Sequence, residues 1–292
     1  MRFRWLLFLL PILLGATPTQ AAPIPAEISI AFIDVGQGDA TLIRDGTGFD
    51  ILVDGGRKSV GDEVIDYLQQ AGIDDLEIMI ATHADSDHIG GLIAILESEE
   101  IQVESVYFNG YPGDTLTWLE FTEAVNADGL SLQRIEYPQT LNLGGLEIRV
   151  LNPLPGMVEP EQNEASVVLL FTYAQITLLL TADIETGVEE LILERSTNLH
   201  ADILKVAHHG SKHSSSTAFL AEIQPQEAII SVGVNPYGHP APETLARLSD
   251  IGANIMRTDM VGTVLVTSDG IDYRIIPILT YLPLIFQVII NP

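Results

Sequence analysis

Short runs of apolar residues recur along the chain at strand spacing and alternate with stretches at helical spacing. Ile28 to Asp34 reads as a first strand, Ala40 to Arg44 as a second, and Phe49 to Val53 as a third after the turn Asp45-Gly46-Thr47-Gly48. Val60 to Gln70 places Val64, Ile65 and Leu68 on one helical face, and Gly72 ends it. Leu76 to Ala81 is nearly continuous in apolar residues, which predicts a strand covered on both faces. Further strands are predicted around Val103–Phe108, Leu132–Glu136, Leu146–Leu151, Val167–Thr172, Ile176–Leu180, Ile203–Ala207, Ala228–Val232 and Gly262–Val266. Helices are predicted at Thr115–Val125, Thr186–Glu194, Ser215–Ile223 and Pro242–Ile251. This order predicts one α/β domain.

Both ends of the chain depart from that pattern. Arg2 and Arg4 precede an apolar run from Trp5 to Leu14, and a small, polar stretch leads to Ala21-Ala22. These are the three parts of a secretory signal peptide, with cleavage expected after Ala21. The run is well short of the roughly 20 residues that span a bilayer, which disfavours the alternative of a membrane anchor. The expected organisation is a signal peptide over residues 1–21 and one domain over 22–292, exported to the periplasm or secreted. No stable membrane span is expected in the mature chain. The apolar stretch 275–290 contains two prolines and is expected to pack onto the domain rather than to meet a membrane surface.

Composition narrows the chemistry. The absence of cysteine excludes thiolate ligands and a cysteine nucleophile. The net charge is −27, or −29 once Arg2 and Arg4 are removed, which opposes a role in coating nucleic acid.

The chemistry concentrates at Thr82-His83-Ala84-Asp85-Ser86-Asp87-His88, between the apolar strand and the next helix. Two imidazoles and two carboxylates this close repel or desolvate one another unless a cation holds them. Three more of the seven histidines lie in His208-His209-Gly210-Ser211-Lys212-His213, after another apolar strand, and His239 sits in Tyr237-Gly238-His239-Pro240. Asp183 follows the strand Ile176–Leu180 and reads either as a ligand bridging two ions or as a helix N-cap.

In their order these motifs resemble the metallo-β-lactamase superfamily. Val53-Asp54-Gly55-Gly56 matches its first motif, His83 to His88 its second, Asp183 its bridging acid, and His208 or His209 its last ligand. Phe32-Ile33-Asp34-Val35-Gly36-Gln37-Gly38-Asp39-Ala40, His208-His209-Gly210-Ser211 and Tyr237-Gly238-His239-Pro240 are similar, more narrowly, to the hydrolase domain of ComEC-type competence channels. With no multi-helix channel segment in this sequence, the chain reads as a free-standing relative. The resemblance implies a four-layer αββα sandwich with one or two divalent ions. It implies metal ligands at His83, Asp85, Asp87, His88, Asp183 and His208, with Asp87 and His209 catalytic; His208 and His209 are interchangeable at this stage. The usual pattern carries histidine where Asp85 stands, and no histidine lies between His88 and His200 to supply a further ligand. Asn163 is the candidate to fill that place. Oxygen ligands favour Mn²⁺ and imidazole suits Zn²⁺, so either ion is expected.

Of the eleven Lys and Arg outside the signal segment, Arg44, Arg57, Lys58, Lys205 and Lys212 lie in or beside these motifs. Arg57, Lys58, Lys212 and His239 are therefore expected to meet substrate. Positive charge at a two-metal mouth suits a phosphoester or phosphodiester, either a small molecule or a short or single-stranded nucleic acid. The rival expectations are a carbonyl hydrolase of β-lactamase, lactonase or thioesterase type, and a metal-binding module without turnover. The pattern leaves the oligomeric state open.

Overall fold

Alternation along each strand decides the layering of this α/β fold. The computed structural model describes residues 27–143 and 145–279, so the expected signal peptide and the end of the apolar C-terminal stretch lie outside the described residues. Along Ile28–Phe32, Ile30 and Phe32 face a core between two sheets, while Ala31 faces the opposite side, toward helices. Ile78 and Ile80 likewise face the second sheet, and Met79 and Ala81 face the helices. Val168–Tyr173 is the mirror case: Leu169 and Phe171 point inward, Val168 and Leu170 outward.

The first sheet runs, edge to edge, Tyr273–Ile278, Thr263–Ser268, Ile28–Phe32, Thr41–Arg44, Asp50–Val53, Ile78–Ala81, Val106–Phe108 and Leu132–Arg134. The second runs Asn254–Arg257, Glu227–Ile230, Ile203–Lys205, Ile176–Leu180, Val168–Tyr173, Leu146–Asn152 and Thr140–Leu143. Helices Gly61–Gln70, Ser86–Glu97 and Leu116–Ala127 cover the outer face of the first sheet. Thr186–Arg195, Thr217–Ile223 and Pro242–Asp250 cover that of the second. The result is the expected four-layer αββα sandwich.

Each sheet has a parallel portion. In the first it begins where Asp50–Val53 pairs with Ile78–Ala81, and in the second where Ile176–Leu180 pairs with Ile203–Lys205. Loops leaving the carboxyl ends of parallel strands converge at one edge, where open α/β sheets place their ligands. Asp54, His83, Asp183 and His209 all follow such ends.

Three strands escaped the sequence reading. Thr140–Leu143 and Asn254–Arg257 lie at edges of the second sheet and bury no residue fully, so they carry no apolar run to betray them. Tyr273–Ile278 is the edge strand of the first sheet and accounts for the start of the apolar C-terminal stretch by packing. The strand expected over Val103–Phe108 is broken into Gln102–Val103 and Val106–Phe108. Among the described residues, no helix is long and apolar enough to cross a membrane.

Candidate metal centre

The second motif straddles a strand end and a helix start. Ile78–Ala81 ends just before Thr82, and the helix Ser86–Glu97 already contains Asp87 and His88 in its first turn. Asp85 is the N-cap residue of this helix, yet its side chain accepts no capping hydrogen bond. Its carboxylate turns instead to His83, with Oδ2 3.6 Å from Nε2.

Three imidazoles are each pinned at Nδ1. His88 Nδ1 lies 2.8 Å from Asp54 Oδ2, and His209 Nδ1 lies 2.9 Å from the Ser231 carbonyl oxygen. Both partners only accept, so both Nδ1 atoms carry the proton. His83 Nδ1 lies 2.9 Å from the Thr82 hydroxyl, whose one proton is donated to Asp54 Oδ2 at 2.7 Å. The hydroxyl must then accept, and His83 Nδ1 is the donor. In the neutral form of each ring, the form that binds a metal ion, the lone pair therefore sits on Nε2.

Those three Nε2 atoms are buried and have no hydrogen-bond partner, as has Asp183 Oδ1. Leaving such groups unpaired costs about 1–3 kcal/mol each, unless something else binds them. They converge. Asp183 Oδ1 is 3.5 Å from His88 Nε2, and its Oδ2 is 3.5 Å from His209 Nε2. Asp183 is not the helix N-cap: Glu185 holds that position before Thr186–Arg195, and its side chain makes no capping hydrogen bond. Its carboxylate straddles two ligand groups, His83/His88/Asp183 and Asp39/Asp183/His209, in each of which the donor atoms lie within 4.8 Å of one another. Asp87 Oδ2 closes in at 3.9 Å from His209 Nε2. A third grouping, Asp39/Asp54/His88, lies on the side where His88 is already hydrogen-bonded, so it supports the site rather than opening onto it. Bare imidazole nitrogens and carboxylate oxygens, buried and without partners, are the donor set a divalent ion requires.

The electrostatics follow from this crowding. Burial pushes the Asp183 carboxyl up, but the charges of His209 and His88 outweigh it and hold it well below the usual range. Burial pulls His88 down, and the charges of Asp183 and Asp54 overcome this and raise it well above 6.5. His209 is raised in the same way, against burial, by Asp183 and Asp39. His208 and His239 go the other way, lowered chiefly by burial.

Backbone geometry is strained at the same place. Asp54, Ala182, His208 and His209 have φ of 59°, 44°, 50° and 52°. Non-glycine residues in the left-handed region cost about 1–3 kcal/mol each and persist where the surroundings enforce them. Two in succession at His208 and His209 send the neighbouring rings in different directions. His209 is buried with Nε2 in the cluster, whereas His208 is only partly buried, with Nε2 3.8 Å from Asp183 Oδ2 and its ring 5.4 Å from that of His239. Of the two rings that the sequence leaves interchangeable, His209 is the one whose Nε2 faces the buried cluster.

The expected basic mouth is smaller than foreseen. Arg57 does reach the site, 4.0 Å from Asp87 Oδ2. Lys58, expected to meet substrate, instead points along the helical layer to Glu120 Oε2 at 2.7 Å. Lys205 is buried against Asp39, and Arg44 pairs with Asp50. Lys212 is exposed on the loop after His209. Asn163 lines a cavity of about 680 Å³ that includes Asp85 and Glu185, together with Glu161, Glu164 and the apolar Met157 and Leu191. The residue missed from sequence is Asp39. It lies 3.4 Å from His209 and 3.9 Å from His88, and its place after Gly36-Gln37-Gly38 was the available clue.

Comparison with known proteins agrees with this geometry. The profile of the metallo-β-lactamase superfamily matches residues 33–234. ComE operon protein 3 of Bacillus subtilis is 30% identical over 264 residues, covering 82% of this chain and 33% of that protein. Recombination protein 2 of Haemophilus influenzae is 32% identical over 249 residues, covering 80% and 28%. The chain thus spans about a third or less of these relatives. Among solved structures, the metallo-β-lactamase fold protein YhfI of Bacillus subtilis superposes with a TM-score of 0.55 at 13% identity, covering 83% of this chain and all of YhfI.

Proposed function

Since the chain belongs to the metallo-β-lactamase superfamily, we propose that it is an exported metal-dependent phosphoesterase. Its proposed substrates are phosphodiesters, as small molecules or as short or single-stranded nucleic acid. One observation carries the metal dependence: the unpaired, buried Nε2 atoms of His83, His88 and His209 converge on the unpaired Asp183 carboxylate.

His83, His88, Asp183 and His209 would hold one or two ions, with Asp85 and Asp87 completing the set from the partly exposed side. Such ions, when bound, supply a Lewis acid and a nucleophile derived from water. The protein does the rest. Thr82, Asp54 and the Ser231 carbonyl fix the tautomer and direction of the three rings, so that the ligand set needs little rearrangement. Asp87, partly exposed and 3.9 Å from His209 Nε2, accepts a hydrogen bond from the attacking water and orients it. Arg57 brings a guanidinium to the negative oxygens of the substrate. His208 and His239, lowered in pKa by burial, meet the leaving-group side as neutral rings. The oxygen donor at Asp85 favours Mn²⁺, and the three imidazoles keep Zn²⁺ in contention.

Three things favour a phosphodiester: Arg57 at the site, Asp85 in place of an imidazole, and the likeness to a relative named recombination protein 2. A second reading, carbonyl hydrolysis, draws on the acidic and apolar cavity beside Asp85, which suits a neutral acyl group better than a polyanion. Hydrolysis of bis-p-nitrophenyl phosphate and of nitrocefin by the metal-restored protein separates the two. Turnover of the phosphodiester alone is expected; turnover of nitrocefin alone would overturn the phosphodiester reading in favour of the second.

A further inference from the structure

The metal centre is split between the two sheets. Segments that follow strands of the first sheet supply Asp39, Asp54, His83 and His88, the last from the first turn of the helix Ser86–Glu97, and segments that follow strands of the second supply Asp183 and His209. Three carboxylates surround the His88 ring alone: Asp54 at 2.8 Å, Asp183 at 3.5 Å and Asp39 at 3.9 Å. All three are buried. Without divalent ions only the neighbouring imidazoles and any buried cation can balance these carboxylates, which otherwise repel at low dielectric, each having lost its water.

Lys205 answers this directly. It is the last residue of Ile203–Lys205 in the second sheet and, at 2% exposure, the one fully buried ammonium among the described residues. A lysine is almost never buried without a partner. Its Nζ pairs with Asp39 Oδ2, on the Gly-rich loop of the first sheet, and no role in hydrolysis falls to it. The other oxygen of Asp39 lies 3.4 Å from His209 Nδ1, so the chain Lys205–Asp39–His209 crosses from the second sheet to the first and back. The loop carrying Asp39 also touches the second motif directly, since the Asp39 amide donates to the Asp87 carbonyl at 3.2 Å.

We infer that Lys205 is a resident cation: through Asp39 it holds the two half-sites together when no metal is bound, as a positioning residue and not a catalytic one. Its charge is needed most in the stripped protein and least once divalent ions balance the carboxylates. The inference rests on the proposed metal centre but not on the substrate.

The test is thermal unfolding of Lys205→Met, stripped with chelator and again saturated with Mn²⁺ or Zn²⁺. An uncompensated buried carboxylate is strongly destabilising, so the stripped variant is expected to melt about 10 °C below stripped wild type. The loaded variant is expected to lose less than half of that. Lys205→Arg should restore part of the stripped stability. The double variant Asp39→Asn with Lys205→Met, which removes both charges, should restore most of it. Equal losses in the stripped and loaded states, or a larger loss in the loaded state, would overturn the inference and leave an ordinary structural ion pair. Should Lys205→Met yield no folded protein in either state, Lys205→Arg decides: a larger fall in melting temperature when stripped than when loaded supports the inference, and equal falls in the two states overturn it. A wild type that gains no stability from either metal would overturn the metal centre itself, and the inference with it.

Discussion

Asp54 Oδ2 sits 2.8 Å from His88 Nδ1 and at the same time accepts the Thr82 hydroxyl at 2.7 Å, so one buried carboxylate aims both His88 and, through Thr82, His83. Such supporting partners typically contribute 10–100-fold to metal affinity. Asp54→Ala is expected to weaken metal binding by about that factor, read by competition with a chromophoric chelator. Wild-type affinity in this variant would show that the rings are aimed by something else.

The two histidines of the third segment should separate cleanly. His209→Ala removes a buried ring from the ligand group, and it is expected to lower the number of ions held per chain, measured by elemental analysis. His208→Ala should keep its metal and lose turnover by about 10²–10⁴-fold, as the loss of a positioned proton-transfer group does. The reverse pattern would return the ligand role to His208.

Among the basic residues, only position decides. Arg57→Ala is expected to raise KM for a phosphodiester, because the guanidinium 4.0 Å from Asp87 is within reach of bound substrate. Lys58→Ala should leave KM and kcat unchanged, since its ammonium is paired with Glu120 on the helical layer. An exposed pair of that kind contributes about 0–1 kcal/mol, so its melting temperature should barely move. An effect of Lys58→Ala on KM equal to that of Arg57→Ala would argue that the loop rearranges on binding.

Gly38 is required for shape. It has φ of 141°, and a Cβ there would collide with the Asp87 carbonyl, which accepts from the next residue's amide. Gly38→Ala is therefore expected to displace the start of the Ser86–Glu97 helix and to lower metal affinity more than it lowers melting temperature. Unchanged metal binding would contradict that packing.

Much of this was legible in the sequence, for reasons particular residues make plain. Ile78 to Ala81 announces a buried strand because it is covered on both faces, and a strand end followed by His83 to His88 announces a site because those groups have little reason to crowd otherwise. Edge strands such as Thr140–Leu143 were silent because their alternation, two half-buried leucines over four residues, is too short to stand out from a loop. The difference between His208 and His209 depends on two consecutive left-handed residues, which side-chain identity does not encode. Lys58 and Lys205 show the same limit for charge. Proximity along the chain placed both beside the motifs, yet the fold turns one to Glu120 and buries the other against Asp39, 166 positions away.

The most direct test of the metal centre is a titration of chelator-stripped protein with Mn²⁺ or Zn²⁺ while turnover of bis-p-nitrophenyl phosphate is followed. Turnover should return in step with metal occupancy and saturate at one or two ions per chain, and His88→Ala should recover none of it. Full turnover by the stripped protein, or undiminished turnover by His88→Ala, would contradict the account.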